Sequence, residues 1–413
     1  MDSTITTYKH NQLSYMASPK FSLTLAALLL LFSYSSINKE TVADNSDVVI
    51  INIDDIKTLD DAKLTDLISD YAYIPLETSE EALVGQITTI AFDENRIFIL
   101  DRITTVIHVF TKDGKFLHKL EAKGNGPEEF SEIESFTLNK EKNHIIIGAI
   151  GKILTFDYEG KFINAFKTIS GGSAQIAYAG DGKLLIYSSL YYLDTAQGFN
   201  QAGIIDLRTK EYVTKDIPFN PKSRMENITL FYNSISYGNA DVKYLSIPYK
   251  DNVWEVSGSS INAAYKIDFG ENSLPENYED DYISNSRYSS DDLRNIETKE
   301  GWERIRGGGV LFNQNMLCFN YATKGKFQQV YYDINTNRAF QIKLPLKNDL
   351  DGTSYVAHQG SYSDKLVSWL SPSTLKKNVS EGKITEERII TLTQTLKEED
   401  NPVLRLLTFK PIQ

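Results

Sequence analysis

Six units of short strands, recurring at about 45 residues, predict an all-β fold: a six-bladed β-propeller built of four-stranded antiparallel blades. Two segments carry the repeat most clearly. "NRIFILDRITTVIHVFTKDGKFLHKL" (Asn95–Leu120) and "NHIIIGAIGKILTFDYEGKFINAF" (Asn143–Phe166) each read as strand, turn, strand, hairpin, strand. Their turn pairs, Asp113-Gly114 and Glu159-Gly160, lie 46 residues apart, and an acidic residue before Gly between apolar runs is a strong hairpin signal because Gly accepts positive φ. Composition agrees: 24 Tyr against 3 Trp, with frequent Val, Ile and Thr, favours strands.

The chain opens with an address. "FSLTLAALLLLF" (Phe21–Phe32) is twelve uncharged residues behind Lys20, too short for a comfortable membrane span and matched to a signal-peptide core. Residues 1–36 are therefore expected to be an export segment, starting at Met1 or Met16, and the protein is expected in the periplasm, cell envelope or medium, touching membrane only through this segment. "LLFSYSS" resembles a lipoprotein cleavage box with Tyr34 where the cysteine belongs. Lipidation needs that thiol, so a lipid anchor is not expected. Residues 37–70, acidic and polar, read as a linker with one short strand around Val48–Ile53.

The propeller is placed at 71–413. After the two clear copies come "GKLLIYSSLYY…NQAGIIDLRTKEYVTKDI", "VKYLSIPYKDNVWEVSGSSINAAYKIDFG", "NMLCFNYATKGKFQQVYYDINTNRAFQIKL" and "KLVSWLSPSTL". Helix-prone inserts fall at Pro275–Ile305 and Ser373–Asn401. A ring must close, since an open end would leave a bare strand edge; "YAYIPLET" (Tyr71–Thr78) and "PVLRLLTFKPI" (Pro402–Ile412) are the two candidates.

Between the first two copies lies "KGNGPEEFSEIESFTLN" (Lys123–Asn139). It lacks the Gly-Lys-Ser/Thr of a phosphate loop, and its glutamates repel phosphate. It reads as a blade joint in which Gly124 and Gly126 turn the chain, Pro127 fixes φ, and Phe130 packs between blades.

"YIPLETSEEALVGQITTIAFDENRIFILD", "VFTKDGKFLHKL", "GNGPEEFSEIESFTLN" and the closing "EEDNPVLRLLTFK" together resemble the exported six-bladed β-propeller proteins of Bacteroidetes, often lipoproteins and distantly akin to NHL-repeat propellers. The resemblance runs from about Tyr71 to the C-terminus. The family's Gly-x-Gly-Pro-Gly-Glu-aromatic loop is matched by Gly124, Gly126, Pro127, Glu129 and Phe130, with Glu128 in place of the third glycine. It implies the fold and export but no assigned activity.

For function, the net charge of -12 argues against nucleic acid. Cys318 stands alone, so no disulfide or cysteine zinc site is expected. The expected role is binding of a small molecule, glycan or protein partner at the loop face or channel mouth, by a monomer without a cofactor. Tyrosine suits hydroxyl-rich ligands, its ring on sugar C–H groups and its phenol on hydroxyls, which selects Tyr191, Tyr192, Tyr232 and Trp302. Cationic loop residues suit an anionic group, which selects Arg102, Lys123, Arg224, Arg287 and Arg304, with Asn125 beside Lys123. No catalytic or metal-binding residue is selected. Two alternatives stand beside binding. One is a calcium-dependent propeller hydrolase, lactonase or lyase, with Asp101, Glu134, Asn233 and Asp251 as channel candidates; the other is a non-catalytic interaction scaffold.

Overall fold

The computed structural model describes residues 48–168, 174–188, 200–218, 220, 234–238, 242–285, 287–353 and 358–413. Three strands precede the first blade: β1 (Val49–Asn52), β2 (Lys57–Leu59) and β3 (Ile68–Pro75). Six sheets then follow in chain order. Blade one holds β4 (Ile87–Phe92), β5 (Arg96–Asp101), β6 (Val106–Thr111) and β7 (Phe116–Leu120). Blade two holds β8 (Ile133–Asn139), β9 (His144–Ala149), β10 (Lys152–Asp157) and β11 (Phe162–Lys167). Blade three holds β12 (Ala174–Tyr178), β13 (Lys183–Ser188), β14 (Asn200–Asp206) and β15 (Glu211–Pro218).

Blade four holds β16 (Ile235–Tyr237), β17 (Lys243–Ser246), β18 (Asn252–Ser257) and β19 (Ser260–Asp268). Blade five holds β20 (Ile305–Phe312), β21 (Met316–Thr323), β22 (Lys326–Asp333) and β23 (Arg338–Lys343). Blade six holds β24 (Gly360–Tyr362), β25 (Lys365–Leu370) and β26 (Val403–Phe409), completed by β3. Each of the first five sequence copies supplies the outer three strands of its blade, with the innermost strand preceding it, whereas the sixth supplies β25 alone.

The sequence explains this layering. Second strands such as "RIFIL" and "HIIIG" are apolar on both sides because a neighbouring blade covers each face, and they are buried almost throughout. Outer strands alternate, as β7 does, because one side meets water. The expected hairpins form, with Gly114 at φ +90° and Gly160 at φ +84°. At Gly114 a side chain is also forbidden by space, since a Cβ would sit 2.1 Å from the Pro75 carbonyl oxygen.

Both closing candidates enter one sheet. β26 pairs with β25 on one side and antiparallel with β3 on the other, setting Arg405 opposite Tyr73. Arg405 is buried and donates to Asp351 at 2.7 Å, and the Tyr73 hydroxyl donates to the same carboxylate. Burial alone would raise the Asp351 carboxyl, but Arg405 and the hydrogen bonds to it hold it below the usual carboxylate range.

In the stretch read as a linker, the strand expected around Val48–Ile53 forms as β1, and a second strand, β2, follows it. β1 adds a parallel fifth strand to β19, and β2 does the same to β23. β1 ("VIIN") and β2 ("KTL"), the second of which was not expected from the sequence, cover the outer edges of blades four and five.

The inserts are helical as expected. Helix α1 (Leu64–Leu67) is a single turn before β3; α2 (Ser290–Glu300) lies in the 275–305 insert, and α3 (Pro372–Ser380) and α4 (Glu387–Thr395) lie between β25 and β26. Ser289 and Asp292 cap α2 reciprocally, and Gly301 ends it in the left-handed conformation. No helix among the described residues is long and apolar enough to cross a membrane.

Candidate functional site

In an antiparallel blade the turn after the innermost strand and the turn between the two outer strands lie at one end of the ring. Inter-blade connections and the middle turn lie at the other. A cavity of about 480 Å³ opens at the first of these ends, lined by residues from all six blades. Phe92 comes from blade one, Lys140 and Glu141 from blade two, and Tyr178 from blade three. Tyr237 and Lys243 come from blade four, Gln314 from blade five, and Ser361 and Tyr362 from blade six.

Aromatic residues reach this end because of register. The last residue of the innermost strand is Phe92, Tyr178, Tyr237, Phe312 or Tyr362 in five blades, and Asn139 in blade two. Phe92 and Tyr362 stack with centroids 4.7 Å apart and planes 24° apart. The Tyr178 hydroxyl donates to Glu141 at 3.0 Å and accepts from the Gly182 amide at the same distance. Lys243, 5% exposed, places its ammonium 5.4 Å from the Tyr237 ring centroid.

Polar side chains hold the inner strands together beneath the cavity. Ser135 and Thr137 of β8 accept the Ile176 and Tyr178 amides of β12 at 3.0 and 3.1 Å. Gln175 accepts the Ser234 amide at 3.0 Å, and Ser246 accepts the Val310 amide at 3.1 Å. Tyr237 reaches past its neighbouring blades: its carbonyl accepts from the Ser361 hydroxyl of blade six at 3.4 Å, and its phenol lies near the Thr137 side chain of blade two. Burial raises the phenol above its ordinary value, with the nearby Thr137 side chain acting in the opposite direction. Blades four and six are not neighbours, so the Ser361–Tyr237 bond joins inner strands across the ring beside the cavity.

The residues singled out from sequence lie elsewhere or outside the described residues. Tyr191, Tyr192, Arg224 and Tyr232 lie outside them. Arg102 is exposed in the β5–β6 turn, and Lys123 and Asn125 are exposed on the joint between blades one and two. Arg287 is exposed just before α2. All these described positions belong to the inter-blade end, opposite the cavity.

Trp302 and Arg304 serve the packing of α2. Trp302 meets the edges of Tyr278 and Tyr282. Arg304 donates to the buried Glu297 at 3.0 Å and lies 4.0 Å over the Tyr249 ring. Glu297 also pairs with Arg306 and accepts from the Tyr278 hydroxyl at 2.6 Å.

The joint itself behaves as expected at Phe130, which is fully buried in the core shared by blades one and two and meets Phe156 edge-on. Its glycines work differently from the expectation. Neither Gly124 nor Gly126 is among the positive-φ residues. Instead the Glu129 carboxylate folds back to accept the Gly126 amide at 2.9 Å, and a Cβ on Gly124 would lie 1.9 Å from it.

Among the described residues no group of three or more His, Cys, Asp and Glu side chains gathers to hold an ion. Asp101, a channel-metal candidate, is engaged by the Gly85, Gln86 and Ile103 amides and the Thr104 hydroxyl. Burial pushes the Asp251 carboxyl up to about 6. Asn233 lies outside the described residues, and Glu134 is half-buried in β8.

The residues that line the cavity carried one legible signal, the recurrent aromatic at the inner-strand end. That signal is a single position per repeat, spread over most of the chain.

A family model described as a domain of unknown function, DUF4934, matches residues 48–408. No curated protein matches the chain. Among solved structures, a Bacteroides fragilis protein called "Putative exported protein" is 20% identical, with 86% of this chain and 100% of that chain covered at a TM-score of 0.68. A DUF4221 member from Bacteroides vulgatus is 13% identical, with 83% and 97% covered at a TM-score of 0.47. The first likeness supports the fold, and the second carries no argument.

Proposed function

The chain belongs to the DUF4934 family, and from that premise we propose that it is an exported binding protein that takes a small polar ligand into its channel mouth. The observation that carries this reading is the mixed lining of the cavity. Six blades converge on about 480 Å³ of concave space, with stacked rings on one wall and fixed charged and hydroxyl groups on the others. Sites of this size, with an apolar wall and a few oriented polar groups, are the usual form of small-molecule recognition. Export is supported by the charge-flanked apolar run Phe21–Phe32.

The test is a thermal-shift screen of the purified protein against amino acids, neutral and acidic oligosaccharides, and divalent ions. The reading expects at least one stabilising small molecule whose effect is lost in Tyr362→Ala. A stabilising compound that acts equally on Tyr362→Ala would count against the channel mouth.

One observation favours the scaffold reading as a second possibility. Leu117, Ile163 and Val213 occupy the same register of β7, β11 and β15, and are 45%, 40% and 47% exposed. Three aligned apolar side chains on consecutive blades suit a protein contact along the rim. Replacing all three by Ser should then abolish a complex detected by cross-linking in the envelope fraction.

A further inference from the structure

The channel mouth carries enough chemistry to narrow its ligand. We infer that the ligand is a neutral saccharide bound by its chain end, an inference that rests on the channel-mouth reading above. Charge is the first argument. Glu94 and Glu141 face Lys140 and Lys243 around one cavity, so the formal charges cancel. A phosphate or a peptide carboxylate would seek a net positive site, whereas sugar hydroxyls need donors and acceptors side by side. The Tyr178 hydroxyl bonded to Glu141, the buried Lys243, Gln314 and Ser361 supply both kinds.

The aromatic wall is the second argument. Tyr362 is braced by its stack on Phe92, which is 7% exposed, so one ring holds the other in place. A braced, partly exposed ring offers a flat apolar face at little entropic cost, and a sugar ring presents C–H groups of matching shape. A purely apolar ligand would leave the charged groups around it unpaired.

An inter-blade contact decides how a sugar chain would enter. The Tyr237 carbonyl of blade four accepts from the Ser361 hydroxyl of blade six, so two non-adjacent inner strands meet beside the cavity, and Leu138 of blade two lies on its wall. A polymer threading the ring would have to part that contact. It must enter from the open end, and only its last units fit inside.

The experiment is isothermal titration of the full chain with linear neutral oligosaccharides of increasing length in several linkages, and with uronate oligomers. Wild type, Tyr362→Ala and Tyr362→Phe are compared after circular dichroism shows each to be folded. The inference expects a neutral series to bind with an affinity that stops changing beyond the first few units. Tyr362→Ala should weaken it about tenfold or more, and Tyr362→Phe by less than about threefold.

Affinity that keeps rising with length would overturn end-on binding. Binding of uronates alone, or of no saccharide, would overturn the sugar assignment. In those cases a non-sugar ligand lost in Tyr362→Ala would still leave the channel-mouth reading standing. Saccharide binding untouched by Tyr362→Ala would instead sink that reading.

Discussion

The Ser361 hydroxyl of the sixth blade donates to the Tyr237 carbonyl of the fourth at 3.4 Å, although blade five stands between them in the ring. The Tyr237 phenol lies near Thr137 of the second blade, so this one residue meets the inner strands of two blades that are not its neighbours. Tyr237, Ser361 and Tyr362 all line the mouth cavity, so this contact lies at its wall.

Tyr237→Phe keeps the ring and removes the hydroxyl, leaving Thr137 with its bond to the Tyr178 amide. The expected loss is about 1 kcal/mol. Tyr237→Ala also removes the ring from the wall and should cost about 3–5 kcal/mol. Guanidinium unfolding of the two variants measures the difference; equal losses would mean that the ring contributes nothing to the packing there.

The ring closure depends on a buried charge pair. Arg405→Ala leaves Asp351 charged and 0% exposed, which should cost about 3–5 kcal/mol. Replacing both by apolar residues of similar size should recover much of that loss, since no charge is then stranded. A double variant as unstable as Arg405→Ala, measured by chemical unfolding, would contradict the role given to the pair.

His358 gives stability a pH dependence. Its Nε2 pairs with the Tyr331 hydroxyl at 2.9 Å, and its ring packs edge-on against Phe409. Burial, aided by Arg405, holds the imidazole down at about 3, against an ordinary value near 6.5. The folded form therefore resists a proton that the unfolded chain accepts. Stability is fully present above about pH 6.5 and is lost as pH falls toward 3, by up to about 2 kcal/mol at pH 5. His358→Phe should flatten the melting temperature over that interval; an unchanged slope would assign it to other groups.

Gly114 needs both its positive φ and its missing side chain. Gly114→Ala would strain the hairpin and drive a Cβ toward the Pro75 carbonyl at the end of β3. A loss of about 2–3 kcal/mol is expected. Gly160→Ala has the same φ problem, but only Leu120 carbons lie nearby, at 3.9–4.0 Å. It should cost about 1 kcal/mol, and thermal melts of the two variants compare them directly.

What the sequence disclosed follows from how local each signal is. The hairpins at Gly114 and Gly160, the apolar second strands and the wedge at Phe130 depend on neighbours within a few residues or on the repeat itself, so they were legible. A short strand at β1 was legible, but its parallel pairing with β19, and β2 with its pairing to β23, were not, because those partners lie more than 200 residues away. Trp302 and Arg304 suggested a ligand contact by residue type alone. Their actual partners, Tyr278 and Glu297, became visible only once α2 was placed against blade four. The cavity lining was hidden for a related reason. It takes one or a few residues from each repeat, and only the closed ring brings Phe92, Tyr178, Tyr237 and Tyr362 together.

The central claim is that ligand enters at the hairpin end and rests beside Tyr237. Its most direct test is a crystal structure of the protein with the tightest-binding neutral oligosaccharide from the titration series. The account predicts a terminal sugar stacked on Tyr362, within hydrogen-bonding distance of Glu141 or Lys243, with the rest of the chain leading out to solvent. A sugar bound at the opposite end, beside Lys123 and Asn125 or against Trp302, would contradict it.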